Sequence, residues 1–165
     1  MKFLETMLPY FQGEKLEALI FILPIGLLCM VFGGWLLSEG QPGFTRGVAL
    51  PFIAMGLVIA IIGGTVGFRT PSQVAAIQQA YAANQAEAIE GERVRMEKVN
   101  NAWSWYLALW IVFIILGLGL RLLTQSDFLR GLGIALVFFA GVGLMIDGFA
   151  DRRARDYTNA INAIT

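Results

Sequence analysis

The sequence predicts an all-α membrane protein: four transmembrane helices set as two tandem repeated hairpins, with a cytoplasmic helical arm and a C-terminal helix. Three observations predict it. The first is composition: 57% of the 165 residues are hydrophobic and 15% are charged, against roughly 25% charged in an average soluble domain. The second is the set of charge-free runs Leu19 to Leu37, Val48 to Phe68, Trp103 to Leu120 and Gly131 to Ile146. A span needs about 20 mostly apolar residues, and Phe128 and Leu129 lengthen the last run beyond Arg130. The third is the polar stretch Arg69 to Ala102, which separates the first pair of runs from the second.

Residues 1–18 hold Phe3, Leu4, Met7, Leu8, Tyr10 and Phe11, an apolar and aromatic stripe that Pro9 and Gly13 are expected to interrupt. They read as a short segment lying in the headgroup region. Acidic residues in this stretch, and the lack of a small-residue cleavage site after the first run, mark that run as a retained span.

Residues 19–68 form the first hairpin. Pro24, with Gly26 behind it, predicts a kink one turn into the span. Gly40-Gln41-Pro42-Gly43 is a turn signal. Gly56, Ala60 and Gly64 recur every four residues and so share a helix face that admits another backbone, for internal packing or for a partner.

Residues 69–102 form the arm. Thr70-Pro71-Ser72-Gln73 has the pattern of a helix start. Val74, Ile77 and Tyr81 make an apolar stripe that the C-terminal helix or a partner must cover. Both arm ends return to the same membrane face, so a hairpin turning at Glu90-Gly91-Glu92 is expected, reaching about 25–30 Å at roughly 1.5 Å per residue. A single surface helix is the competing arrangement.

Residues 103–149 form the second hairpin, entered through an aromatic belt of Trp103, Trp105 and Tyr106. Asp147, near the end of its second span, is a candidate intramembrane acid, for a proton or cation site or for a structural pair. Residues 150–165 form the C-terminal cytoplasmic helix, where Asp151 and Arg155 stand four apart.

A shift of 84 residues superposes the two hairpins without a gap. Phe44, Arg46 and Gly47 then fall on Phe128, Arg130 and Gly131, which makes these six the repeat-related interface. Two-span units cross the membrane in the same sense, so the repeat is parallel, with a pseudo-twofold axis along the membrane normal. Basic residues set the orientation. Lys2, Lys15, Arg69, Arg93, Arg95, Lys98, Arg152, Arg153 and Arg155 lie on the side of the termini and arm, and Arg46, Arg121 and Arg130 on the other. The termini and arm are expected in the cytoplasm and, in a bacterium, the spans in the inner membrane.

Composition excludes much chemistry. Twelve basic and twelve acidic residues leave no net charge, so nothing draws the chain to nucleic acid. There is no His and a single Cys, Cys29, so no Cys/His metal set exists. Gly117-x-Gly119 and Gly131-x-Gly133 lie inside spans and are not phosphate loops. No catalytic residue, cofactor or metal is expected. The rim of Glu39, Arg46, Asp127 and Arg130 at the external turns reads as interface anchoring.

Two functions remain. One is a non-enzymatic interaction protein that binds another membrane or membrane-inserting protein, or its own copies. Small multi-span immunity proteins share this build, by analogy of architecture alone. The alternative is a small transporter or channel made from the duplicated hairpin. Its partners include the lipid bilayer in either case.

Overall fold

A computed structural model describes residues 2–39 and 42–164. Gly40 and Gln41, half of the first expected turn, lie outside the described residues, as do Met1 and Thr165. The described chain is all-helical, in four long helices: α1 (Lys2–Ser38), α2 (Phe44–Ala83), α3 (Gln85–Leu123) and α4 (Asp127–Asn162). Each has 36 to 40 residues, about 55–60 Å of helix at roughly 1.5 Å per residue. That is nearly twice the ~30 Å of a hydrocarbon core. Every helix carries a window long and apolar enough to cross a membrane and a further stretch that is not.

Short connections make sequential neighbours antiparallel. α2 and α4 form the central pair, α1 packs on α2, and α3 packs on α4.

The two ends of the assembly pack by different means. Away from the apolar windows, Phe3, Met7, Tyr10 and Phe11 of α1, Met96 of α3, and Ala154, Tyr157 and Ile161 of α4 form one buried cluster. Five of the six largest fully buried side chains belong to it; Phe139 is the sixth. This is the large-side-chain core that water drives together. Within the apolar windows the contacts are backbone-close and run through small residues such as Gly26, Gly33, Gly56 and Gly63. The buried cluster there is small: Cys29, Phe52, Ala135 and Phe139.

Four expectations are corrected. Residues 2–17 are not a separate interfacial segment: they are α-helix, joined to the first span through a π-helical turn at Ala18–Ile22. Their apolar stripe is buried in the core rather than laid on a headgroup layer. Pro9 and Gly13 do not interrupt the helix, because packing on three neighbours outweighs their low propensity.

The arm is a helical hairpin, but it turns at Asn84 and not at Glu90-Gly91-Glu92. Asn84 is extended and caps α3: its side chain accepts from the Glu87 N–H at 3.3 Å, and its amide donates to the Glu87 carboxylate at 3.3 Å. Gly91 sits inside α3 with open space around it. Nor does a helix begin at Thr70. α2 runs unbroken through Pro71, and the buried Thr70 hydroxyl bonds back to the Val66 carbonyl at 2.6 Å.

A π turn precedes Pro24, with the Leu23 N–H reaching the Ala18 carbonyl. A proline just beyond cannot donate, and the widened turn accommodates it.

Candidate functional site

The small-residue face of α2 is used inside the chain. A Cβ on Gly26 would strike the Ala60 backbone, and one on Gly56 would stand 2.8 Å from the Gly26 carbonyl. Gly64 does not share this contact; space beside it is open. The face continues instead through Gly63, where a Cβ would stand 2.6 Å from the Leu23 nitrogen, and Gly67, where one would strike the Leu19 side chain. Spacing that alternates four and three keeps to one side of a 3.6-residue helix better than a strict four, so the correction at Gly64 has a geometric cause.

Four of the six repeat-related residues, Phe44, Gly47, Phe128 and Gly131, come together where α2 and α4 cross. A Cβ on Gly47 would collide with the Phe128 carbonyl, and one on Gly131 with the Phe44 carbonyl. The next approaches are again reciprocal: a Cβ on Gly47 would stand 3.0 Å from the Leu132 nitrogen and one on Gly131 3.1 Å from the Val48 nitrogen. The outer pairs match too. A Cβ on Gly33 would stand 2.8 Å from the Ala49 carbonyl and close to Ile53, and one on Gly117 2.6 Å from the Gly133 carbonyl and close to Val137. Every residue in the second set is the first plus 84. Arg130 secures its turn by donating to the Thr124 carbonyl (2.9 Å) and the Gln125 side chain (3.1 Å), with Asp127 3.7 Å away. Arg46 and Phe44 are exposed beside their glycine.

Asp147 has a partner. The Trp110 indole N–H donates to its carboxylate at 2.6 Å, and Gly143 leaves room for the ring. Val74, Ile77 and Tyr81 pack on the buried cluster, with the Tyr81 ring stacked on Phe3 at 5.1 Å. The N-terminal half of α1 therefore shares in covering the arm stripe.

The sequence reading missed a buried ionic group at the centre of this cluster. Glu92, 4% exposed, accepts from Arg95 Nε and Nη2 at 2.8 and 2.6 Å and from the Tyr157 hydroxyl at 3.0 Å. The Arg95 guanidinium lies over the rings of Tyr10 (5.8 Å) and Phe11 (5.2 Å). Tyr10 and Tyr157 stack at 4.3 Å. Its one trace in the sequence is Glu92 and Arg95 three apart, which reads as an ordinary surface pair.

Burial alone would weaken the Arg95 charge, but its bonds to Glu92 hold it firmly protonated. Burial, then the adjacent Glu92 carboxylate, keeps Tyr157 protonated far above neutrality. Burial likewise raises Tyr10. Groups with such fixed protonation states fasten α1, α3 and α4 together; they do not exchange protons near pH 7.

A second tier of ion pairs sits closer to the apolar windows. Arg69 of α2 stands 3.9 Å from Glu14, and Arg153 of α4 bonds Glu17. The two arginines are 84 apart, so repeat-related positions hold α1 from both sides. Among the described residues no group of three or more His, Cys, Asp or Glu is placed to hold a metal ion. No known family model, curated protein or solved structure matches the chain.

Proposed function

We propose that the chain is a non-enzymatic, multi-pass inner-membrane interaction protein of the immunity type. In this reading the four apolar windows cross the membrane. The polar-ended bundle formed by both termini and residues 69–102 stands in the cytoplasm, on the side that holds nine of the twelve basic residues. The hairpins 19–68 and 103–149 are tandem copies, which the reciprocal contacts at Gly47 and Gly131 support.

The observation that carries the partner reading is the unequal cover of the apolar windows. Of the window in α2, 39% is buried within the chain; of the window in α3, 6% is. An outer helix left so bare offers its face to another transmembrane helix, and Gly119 on it has open space for close backbone approach. The stripe at Gly56 and Ala60 is occupied by α1 and is not the docking face.

Mild detergent extraction of the full chain followed by pull-down tests this. A membrane protein, or a second copy, should be recovered with the wild type and lost with Gly119→Leu. Recovery of the chain alone, or an unchanged partner in the variant, contradicts the proposal.

A small transporter is the second reading, favoured by the acid Asp147, which Trp110 holds between α3 and α4. Against it, Phe52 stacks on Phe138 and packs tilted against Phe139, each at 5.0 Å, so aromatic rings occupy the contact between α2 and α4. Ion or solute flux into liposomes that falls with Asp147→Asn would favour transport over partner binding.

A further inference from the structure

Contacts between helices fix which residues lie level with one another where the chain leaves its apolar windows. Glu14 pairs with Arg69, Glu17 bonds Arg153, and a Cβ on Gly67 would strike Leu19. Trp110 bonds Asp147 and Asn100 bonds Thr158, which brings Trp105 level with Arg152. One level therefore crosses α1 near Leu16, α2 near Phe68, α3 near Trp105 and α4 between Phe149 and Arg152. Leu16, Phe68, Trp105 and Phe149 are all exposed there.

Charge at this level is sorted. The Glu14 and Glu17 side chains are only 19% and 14% exposed, and each has a basic partner. The Arg69 side chain is 54% exposed and stands 3.9 Å from Glu14, a loose pair. Arg152 is exposed. Lys15 has no carboxylate within ion-pair distance among the described residues. A chain of zero net charge thus turns basic groups outward at its neck.

Beside Lys15 the seam between α1 and α2 opens into a cavity of about 170 Å³. Lys15, Gln12 and Phe11 line it from α1, and Thr70, Pro71 and Val74 from α2. It begins at the exposed apolar level and runs about one helical turn away from the apolar windows. Lys15 is the one charged residue in its lining, so the site selects an anion.

We propose that this seam seats one acidic phospholipid of the surrounding leaflet. Its acyl chains lie along Leu16 and Phe68. Lys15 and Arg69 face its phosphate. Its headgroup enters the cavity, where the exposed Gln12 amide can donate to it. Two cations against a single phosphate favour a lipid of net negative charge over a zwitterionic one. The seam between α3 and α4 lacks the seat, because Val99 stands 84 residues on from Lys15. The inference rests on the reading that the apolar windows cross a membrane, and on neither reading of function.

Native mass spectrometry tests it, on the full chain released into mild detergent from bilayers with equal amounts of phosphatidylglycerol and phosphatidylcholine of matched chains. The expected result is one phosphatidylglycerol retained per chain in preference to phosphatidylcholine. Lys15→Gln should weaken that retention about fivefold, the worth of one basic residue near an acidic bilayer surface. Lys15→Arg should preserve it, as should Lys98→Gln, which removes an exposed cation on α3 away from the seam. Equal retention of the two lipids, or a loss in Lys98→Gln as large as in Lys15→Gln, overturns the proposal. Displacement of the lipid by inorganic phosphate would mark a site for free anions and overturns it as well. Alkaline extraction separates the seat from the reading beneath it. A chain that washes off the membrane sinks both; one that stays and prefers neither lipid sinks the seat alone.

Discussion

At the scale of single residues, the close crossing of α2 and α4 makes the sharpest demands. Gly47 and Gly131 each face the other helix's backbone, which cannot yield as a flexible side chain does. Gly47→Ala is therefore expected to cost about 1–3 kcal/mol, the range for an overpacked contact. Gly34→Ala, made where nothing lies within 4 Å, should show no such loss; thermal unfolding in detergent compares the two. The ionic cluster makes another prediction. Tyr157→Phe removes a hydrogen bond to a buried carboxylate without changing shape, so a loss of about 1.5–3 kcal/mol is expected in the same measurement. Gly91→Ala should act in the opposite sense. Its site is exposed, helical and open, so relief of glycine's backbone entropy should stabilise the chain by about 0.5–1 kcal/mol.

At the scale of elements, the turn at Asn84 shows what sequence reading ranks wrongly. Asn84-x-x-Glu87 has the spacing of a capping box and is visible in the sequence. Gly91 outranks it there, because glycine is the commoner break. Asn84→Ala should remove the cap and cost about 1 kcal/mol, seen first as faster amide exchange in the first turn of α3. The same limit applies at Pro9, Gly13 and Pro71. Local propensity marks each as a break, and neighbouring helices override it. The apolar windows were legible because a charge-free run of span length has few other uses. The partners of Asp147 and Glu92 were not, because Trp110 and Tyr157 lie 37 and 65 residues away in the chain. Only tertiary structure joins them.

At the scale of the whole molecule, the helices are single rods with two environments. One end packs large aromatic and aliphatic side chains as a water-facing bundle does. The other packs glycine and alanine and leaves its apolar exterior bare. In the proposed membrane reading, that contrast follows from the solvent each end is built for. The outer helices α1 and α3 leave most of their apolar windows uncovered, while α2 and α4 form the spine. The close approaches of Gly33 to Ala49 and of Gly117 to Gly133 are also 84 residues apart.

The central claim is that the four apolar windows cross a membrane and leave the Asn84 hairpin with both termini in the cytoplasm. The most direct test introduces Ala86→Cys, at an exposed position beside that turn, in a Cys29→Ala background, and treats intact cells with a membrane-impermeant thiol reagent. Protection in intact cells and labelling after permeabilisation is the result predicted. Labelling in intact cells would contradict the claim.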